Sequence, residues 1–465
     1  NWFLGIAAIS LGLAGIFMVQ YGVEQGLLTP LARVTGALAL GAGFIGLGEV
    51  IRRRFGDESG TMTALPSTFS GAGIVTLFAA VLSARHLYNM LPADLALLAL
   101  IAVAILAVVL GWFYGPFLAT VGIIGALGAP FAVGGSSDAP HLFFYYFALI
   151  VVMALSIDAV RRWAWVSVLA LIGGYLATWM LLISGANAVH AFAFALITVI
   201  AACAIPIRRI WPTQSGATLS EMVLGLRRNA PRVWPEFPTR LGAGTFIAAL
   251  TLCTLITLET SNTLEAWLGI FSIASLGALS LIWMWRAQAL SDLNLLPPIT
   301  LLGLIWALAP NQSTVFSDFM VSNDLAKLEE AGMPLAASLF VAIFAGFAVL
   351  GFWRASQGVR GSLVWIGASA LALPAALGAL ELLWAPSDVI GAYVWAGHAI
   401  AAAALMTLLA ERCAKRWAED LRPAALFAMS ALSLITFALM LILSSAALSV
   451  AIAVMIVLAA LIDRR

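Results

Sequence analysis

The sequence predicts an all-α, polytopic transmembrane helix bundle of about sixteen spans, with both ends of the chain in the cytoplasm. Three observations lead there. Of the 465 residues 63% are apolar and 10% charged, with a mean hydropathy of +1.05; soluble domains carry about a quarter charged residues. The apolar residues fall in continuous runs of about 20, the length that crosses a hydrocarbon layer of about 30 Å as helix, without the period-two alternation of strands. The arginines also segregate. Counting helices in strict alternation leaves all but Arg33, Arg85 and Lys327 of the 23 basic residues on one side. One helix too many or too few would invert every later loop and destroy that asymmetry.

In order, the expected spans are Phe3–Tyr21, Leu31–Ile51, Ser70–Leu87, Asp94–Trp112, Pro116–Val133, Leu142–Ala159, Trp163–Ile183 and Ala188–Ile207. A basic connection, 208–240, follows, with six arginines against Glu221 and Glu236. The positive-inside rule holds such a loop in the cytoplasm and thereby sets the side of every other loop. Within it Leu219, Met222, Val223 and Leu226 recur at i, i+3, i+4 and i+7, the pattern of a short interfacial amphipathic helix, with Trp234 as anchor. A basic tether to anionic lipid is the simpler reading. The second half, 241–465, contains Leu241–Leu258, Leu264–Trp285, Leu293–Leu308, Gly332–Trp353, Leu363–Leu383, Val389–Leu409, Pro423–Leu443 and Ala446–Ile462. Its longest outer loop, 310–331, is acidic through Asp318, Asp324, Glu329 and Glu330, with Lys327 opposing and Ser322 placed to cap a short helix stopping at Gly332. Either connection offers a surface to a protein partner, or is simply solvated. Gly36, Gly41, Gly43, Gly46 and Gly48, and then Gly122, Gly125 and Gly128, form small-residue faces that suit close helix packing.

A net charge of +1 excludes a nucleic-acid face. Cys203, Cys253 and Cys413 have neither a disulfide framework nor a metal spacing and are expected as free thiols, the third among cytoplasmic residues. Asn1 is not an initiating methionine, so the chain is read as starting inside a longer protein. There is no phosphate loop, CxxC, HExxH, haem motif or local Ser-His-Asp signature, and no metal or cofactor is expected.

Asn1-Trp2-Phe3-Leu4-Gly5-Ile6-Ala7, Gly15-Ile16-Phe17, Gln20-Tyr21-Gly22-Val23-Glu24, Gly71-Ala72-Gly73-Ile74 and Gly122-Ile123-Ile124-Gly125-Ala126-Leu127-Gly128-Ala129-Pro130 resemble a family of bacterial predicted membrane proteins. The arginines after the second span do so too. That family is domain of unknown function 2339, and the likeness is clearest over residues 1–180. The resemblance implies a Gram-negative inner (cytoplasmic) membrane and very long multi-span chains, often with a charged coiled coil ahead of the first span. It implies no catalytic residues.

Ionisable groups in or beside spans are functional candidates by default. On the alternating topology His86, His141 and His190 sit at the outer side with Arg33 and Arg85, and His398 lies mid-span. Glu24, Asp138 and Glu381 join that level, with Tyr21, Tyr145 and Tyr146 nearby. Pro374, about two turns before Glu381, is expected to kink its helix and free a backbone carbonyl. These residues suit an outward-facing polar site holding an anionic head group; scattered interfacial residues, solvated separately, are the plainer alternative. His398 is expected neutral and bonded to a neighbouring helix, and Asp158 paired with Arg161 and Arg162. Three functions remain open: a transporter or flippase of an envelope lipid or glycan precursor, a membrane-embedded transferase with an outward site, and a structural or assembly protein. Membrane lipids are partners in all three.

Overall fold

Where the bilayer supplies no hydrogen bonds, each apolar run must satisfy its own backbone, and helix is the local solution. The computed structural model describes residues 29–55, 65–134, 139–218, 220–221, 234–311, 313–321, 335–358 and 362–443, with six isolated helical residues before 29. These form two compact units, Asn1–Ala201 and Ala202–Arg465. The first holds α1 (Pro30–Phe55), α2 (Leu65–His86), α3 (Ala93–Tyr114), α4 (Pro116–Val133), α5 (Leu142–Arg161), α6 (Ala164–Ile183) and most of α7 (Val189–Ala204). The second holds α8 (Phe237–Glu259), α9 (Thr263–Ala278), α10 (Leu296–Leu308), α11 (Thr314–Val321), α12 (Ala336–Ser356), α13 (Ser362–Trp384), α14 (Ala392–Arg416) and α15 (Arg422–Ile442). A π-helical turn, Leu279–Trp283, extends α9; a 3-10 helix, Gln288–Leu295, leads into α10; a second π turn, Ser387–Gly391, precedes α14.

Among the described residues 13 helices are long and apolar enough to cross a membrane, and α7 is a shorter apolar helix. Together they account for every expected span from the second to the fifteenth. The first, Phe3–Tyr21, is described only at isolated residues, and the last, Ala446–Ile462, lies outside the described residues, as do Leu219, Met222, Val223 and Leu226. So do Ser322, Asp324, Lys327, Glu329 and Glu330. Several boundaries moved: α2 begins at Leu65, not Ser70, and α14 runs on to Arg416. Helix α8 begins at Phe237, because Pro238 in its first turn needs no N–H partner, and so takes in Arg240. Cys413, expected in a loop, is buried on α14.

Prolines inside helices leave the carbonyl four residues earlier without its donor. In α4, Pro130 frees the carbonyl of Ala126, which the Tyr146 hydroxyl of α5 answers at 2.8 Å. In α13, Pro374 frees the carbonyl of Ala370, answered by the Ser430 hydroxyl of α15 at 2.6 Å. The freed carbonyl expected at Pro374 is present, while the helix continues unbroken from Ser362 to Trp384. Tyr146→Phe and Ser430→Ala should each cost about 1–2 kcal/mol, since the bilayer core offers no replacement donor. Reversible unfolding in mixed micelles checks this, with Ser433→Ala as the comparison, because Ser433 bonds only within its own helix.

Candidate functional site

Helix-end contacts sort the N-terminal unit into two ends. At one, the C-termini of α1, α3 and α5 meet. Glu49 takes Arg52 and Arg53, both at 2.7 Å, and the Tyr114 hydroxyl. The Arg161 guanidinium donates to the Trp112 carbonyl at 2.8 Å and stacks over the Trp112 ring at 4.5 Å. Trp112 closes α3, where carbonyls lack intrahelical donors. Asp158 is not paired with Arg161 or Arg162. It is buried and accepts the Ser167 hydroxyl of α6 at 2.7 Å, because Arg161 reaches away to α3.

The opposite end carries the expected outer residues. Arg33 at the start of α1 lies 5.9 Å from the Tyr88 ring, and Arg85 donates to the Leu91 carbonyl at 3.2 Å. His86 closes α2 with Nε2 2.7 Å from the Ala132 carbonyl of α4. A carbonyl only accepts, so this nitrogen bears the proton. The rings of His141 and His190 stack at 4.8 Å, and the Tyr145 hydroxyl lies 2.9 Å from His190 Nδ1. Thus His141, His190 and Tyr145 form one cluster, while Arg33, Arg85 and His86 are occupied by the turn and ends of α2 and α4. Glu24 and Asp138 lie outside the described residues.

Between the two ends a shallow apolar groove with about 80 Å³ of enclosed room runs between α3, α4 and α5. Its α5 wall descends from Tyr146, one residue past Tyr145, through Leu149 and Met153 to Ile157. The eleven helical rises from Tyr146 to Ile157 span about 16 Å, roughly one leaflet.

In the C-terminal unit Glu381 accepts the Ser387 hydroxyl and closes the turn after α13. His398 donates from Nδ1 to the Val394 carbonyl at 2.9 Å, and its Nε2 lies 2.8 Å from the Ser338 hydroxyl of α12. That is the neighbouring-helix bond the sequence suggested. Glu381 and His398 thus answer to different partners. In the 310–331 connection a short helix, α11, forms around a Ser313 N-cap; the helix expected from Ser322 lies outside the described residues. Helix α11 buries Val315 and Phe319, and its Asp318 accepts the Thr263 hydroxyl at 2.7 Å.

One residue was missed. Arg354 reads in the sequence as a loop arginine beside Arg360, yet it is 1% exposed on α12. The signal was phase: Phe340, Phe344, Phe347, Gly351 and Arg354 recur on one helical face, all buried. Among the described residues no three metal-ligating side chains converge.

The fold and its sites define a multi-pass α-helical integral membrane protein with polar clusters at the helix ends. A family model described as "Predicted membrane protein (DUF2339)" matches residues 1–465, and the chain belongs to that family. The match continues through the second half, where the resemblance had faded. No curated protein and no solved structure matches the chain.

Proposed function

We infer that this protein binds and translocates an envelope amphiphile, a lipid or lipid-linked glycan precursor, in a bacterial inner membrane. The observation that supports the reading is an apolar groove in the N-terminal unit whose α5 wall ends at Tyr146, the residue next to Tyr145 of the His141–His190–Tyr145 cluster. An acyl chain laid along α5 from Ile157 to Tyr146 brings its head group to those imidazoles. Arg33 and Arg85 belong to the same end and supply positive potential for an anionic head group. With the arginine-rich end of the unit in the cytoplasm, this head-group site faces outward.

The test is the lipid that accompanies the purified protein. Extraction after detergent exchange should recover a tightly held amphiphile, and proteoliposomes should move a labelled analogue between leaflets. Leu149→Trp and Met153→Trp fill the groove from its lipid-exposed wall and should lower both signals about tenfold, the loss of an interaction of roughly 1.4 kcal/mol, without loss of folding. Full retention and translocation in the filled variants would sink the proposal. Release of a chemically altered product by the wild type would favour the transferase.

A further inference from the structure

The C-terminal unit buries a cation, Arg354, that has no ion-pair partner among the described residues. Arg354 lies within one turn of the end of α12, and neither its Nε nor its Nη2 has a hydrogen-bond partner. A guanidinium removed from water with its donors unanswered is strongly unfavourable, so its retention needs a reason. The two unanswered nitrogens form one edge of the guanidinium plane. Their parallel N–H bonds match two oxygens of a single oxyanion, which a lysine ammonium does not.

A second buried donor without a partner, Asn294 Nδ2, lies on the 3-10 helix of the same unit. A Cβ placed on Gly277 would lie 2.5 Å from Phe347 Cζ and 3.1 Å from Pro297 Cβ, so α9, α12 and α10 meet at that level. Trp384 touches Phe340, early in α12, and bonds to Ile305, late in α10, so these two helices run in opposite directions. From the Phe347 level α12 therefore descends about 10 Å to Arg354. In a membrane, helix ends lie at the depth of the lipid phosphates.

We propose that Arg354 binds a phosphate oxyanion at the end of the C-terminal unit where α12 finishes. The phosphate comes from a phospholipid head group or from the free ion. This site is independent of the groove in the N-terminal unit, and its test does not involve translocation.

Thermal unfolding of the full chain in phosphate-free buffer and an uncharged detergent is titrated with three probes: inorganic phosphate, short-chain phosphatidylglycerol, and the matching diacylglycerol. A phosphate-bearing probe should raise the midpoint saturably, and the diacylglycerol should not. Response to phosphatidylglycerol alone marks the lipid as the source, whereas response to inorganic phosphate marks the free ion. Arg354→Gln should raise the half-saturating concentration about thirtyfold or more. Arg354→Lys, which keeps the charge without the fork, should raise it about tenfold. Arg416→Gln, an exposed arginine at the end of α14, should leave it unchanged. The proposal fails if neither phosphate probe shifts the wild type, or if Arg354→Gln responds as the wild type does. Should Arg354→Gln not fold, an Arg354→Lys curve superimposable on the wild type overturns it equally.

Discussion

Replacing Trp384 with alanine should destabilise the C-terminal unit by about 3 kcal/mol, at the low end of what removing a buried tryptophan costs. In water part of that cost is lost hydrophobic transfer. In a bilayer the lipid tails accept apolar groups as readily as the protein interior does, so the remaining loss is packing and hydrogen bonding. Trp384 is fully buried, and its ring lies 5.3 Å from Phe316, 5.5 Å from Phe319 and 5.7 Å from Phe340. It also donates from Nε1 to the Ile305 carbonyl at 3.0 Å, one of the last four carbonyls of α10, which have no helical donor. The side chain thereby joins α10, α11, α12 and α13. Trp384→Phe keeps most of the ring contact and loses the N–H, and should cost about 1 kcal/mol. The alanine variant should also raise amide exchange over α11, whose Phe316 and Phe319 flank the hole. Reversible unfolding in mixed micelles measures the first effect and exchange mass spectrometry the second. An alanine variant within about 0.5 kcal/mol of the wild type would show that the aromatic cluster does not hold the unit together.

Why the spans were legible and the site was not follows from the same physics. A span needs only about 20 apolar residues, and that requirement is local, so Leu31–Ile51 or Leu363–Leu383 can be read without knowing any neighbour. Partners are not local. Asp158 sits three residues from Arg161, and proximity in sequence suggested a pair; tertiary packing sent the arginine to Trp112 and the carboxylate to Ser167. His141 and His190 stack although 49 positions separate them, and only the return of the chain through α6 brings the starts of α5 and α7 together. Arg354 was misplaced because its neighbours Trp353 and Arg360 suggested a membrane boundary, whereas the periodicity of the three phenylalanines before it placed it on the buried face. Pro374 was read correctly in part. The missing N–H follows from proline chemistry alone, but that Ser430 answers the freed carbonyl depends on α15.

The glycines give the sharpest contrast between sequence pattern and packing. Five glycines in α1 look alike in sequence, yet only Gly41 and Gly48 are buried, and Gly41 faces Gly73 of α2. A Cβ on Gly73 would lie 2.6 Å from the Gly41 carbonyl oxygen and 2.8 Å from Ile45 Cγ1. The first contact is backbone, so it cannot be relieved by a rotamer change; the helices must separate. Gly73→Leu should therefore cost about 3 kcal/mol, at the upper end of overpacking, and should detach α1 from α2. Gly43 has nothing within 4 Å of an added Cβ. Gly43→Ala should stabilise α1 by up to about 1 kcal/mol through reduced chain entropy. Unfolding free energies measure both, and a disulfide introduced between α1 and α2 in the Gly73→Leu background should restore the pairing. Equal tolerance at Gly73 and Gly43 would mean that the two helices are not held at backbone contact, and the close approach at Gly41 would be wrong.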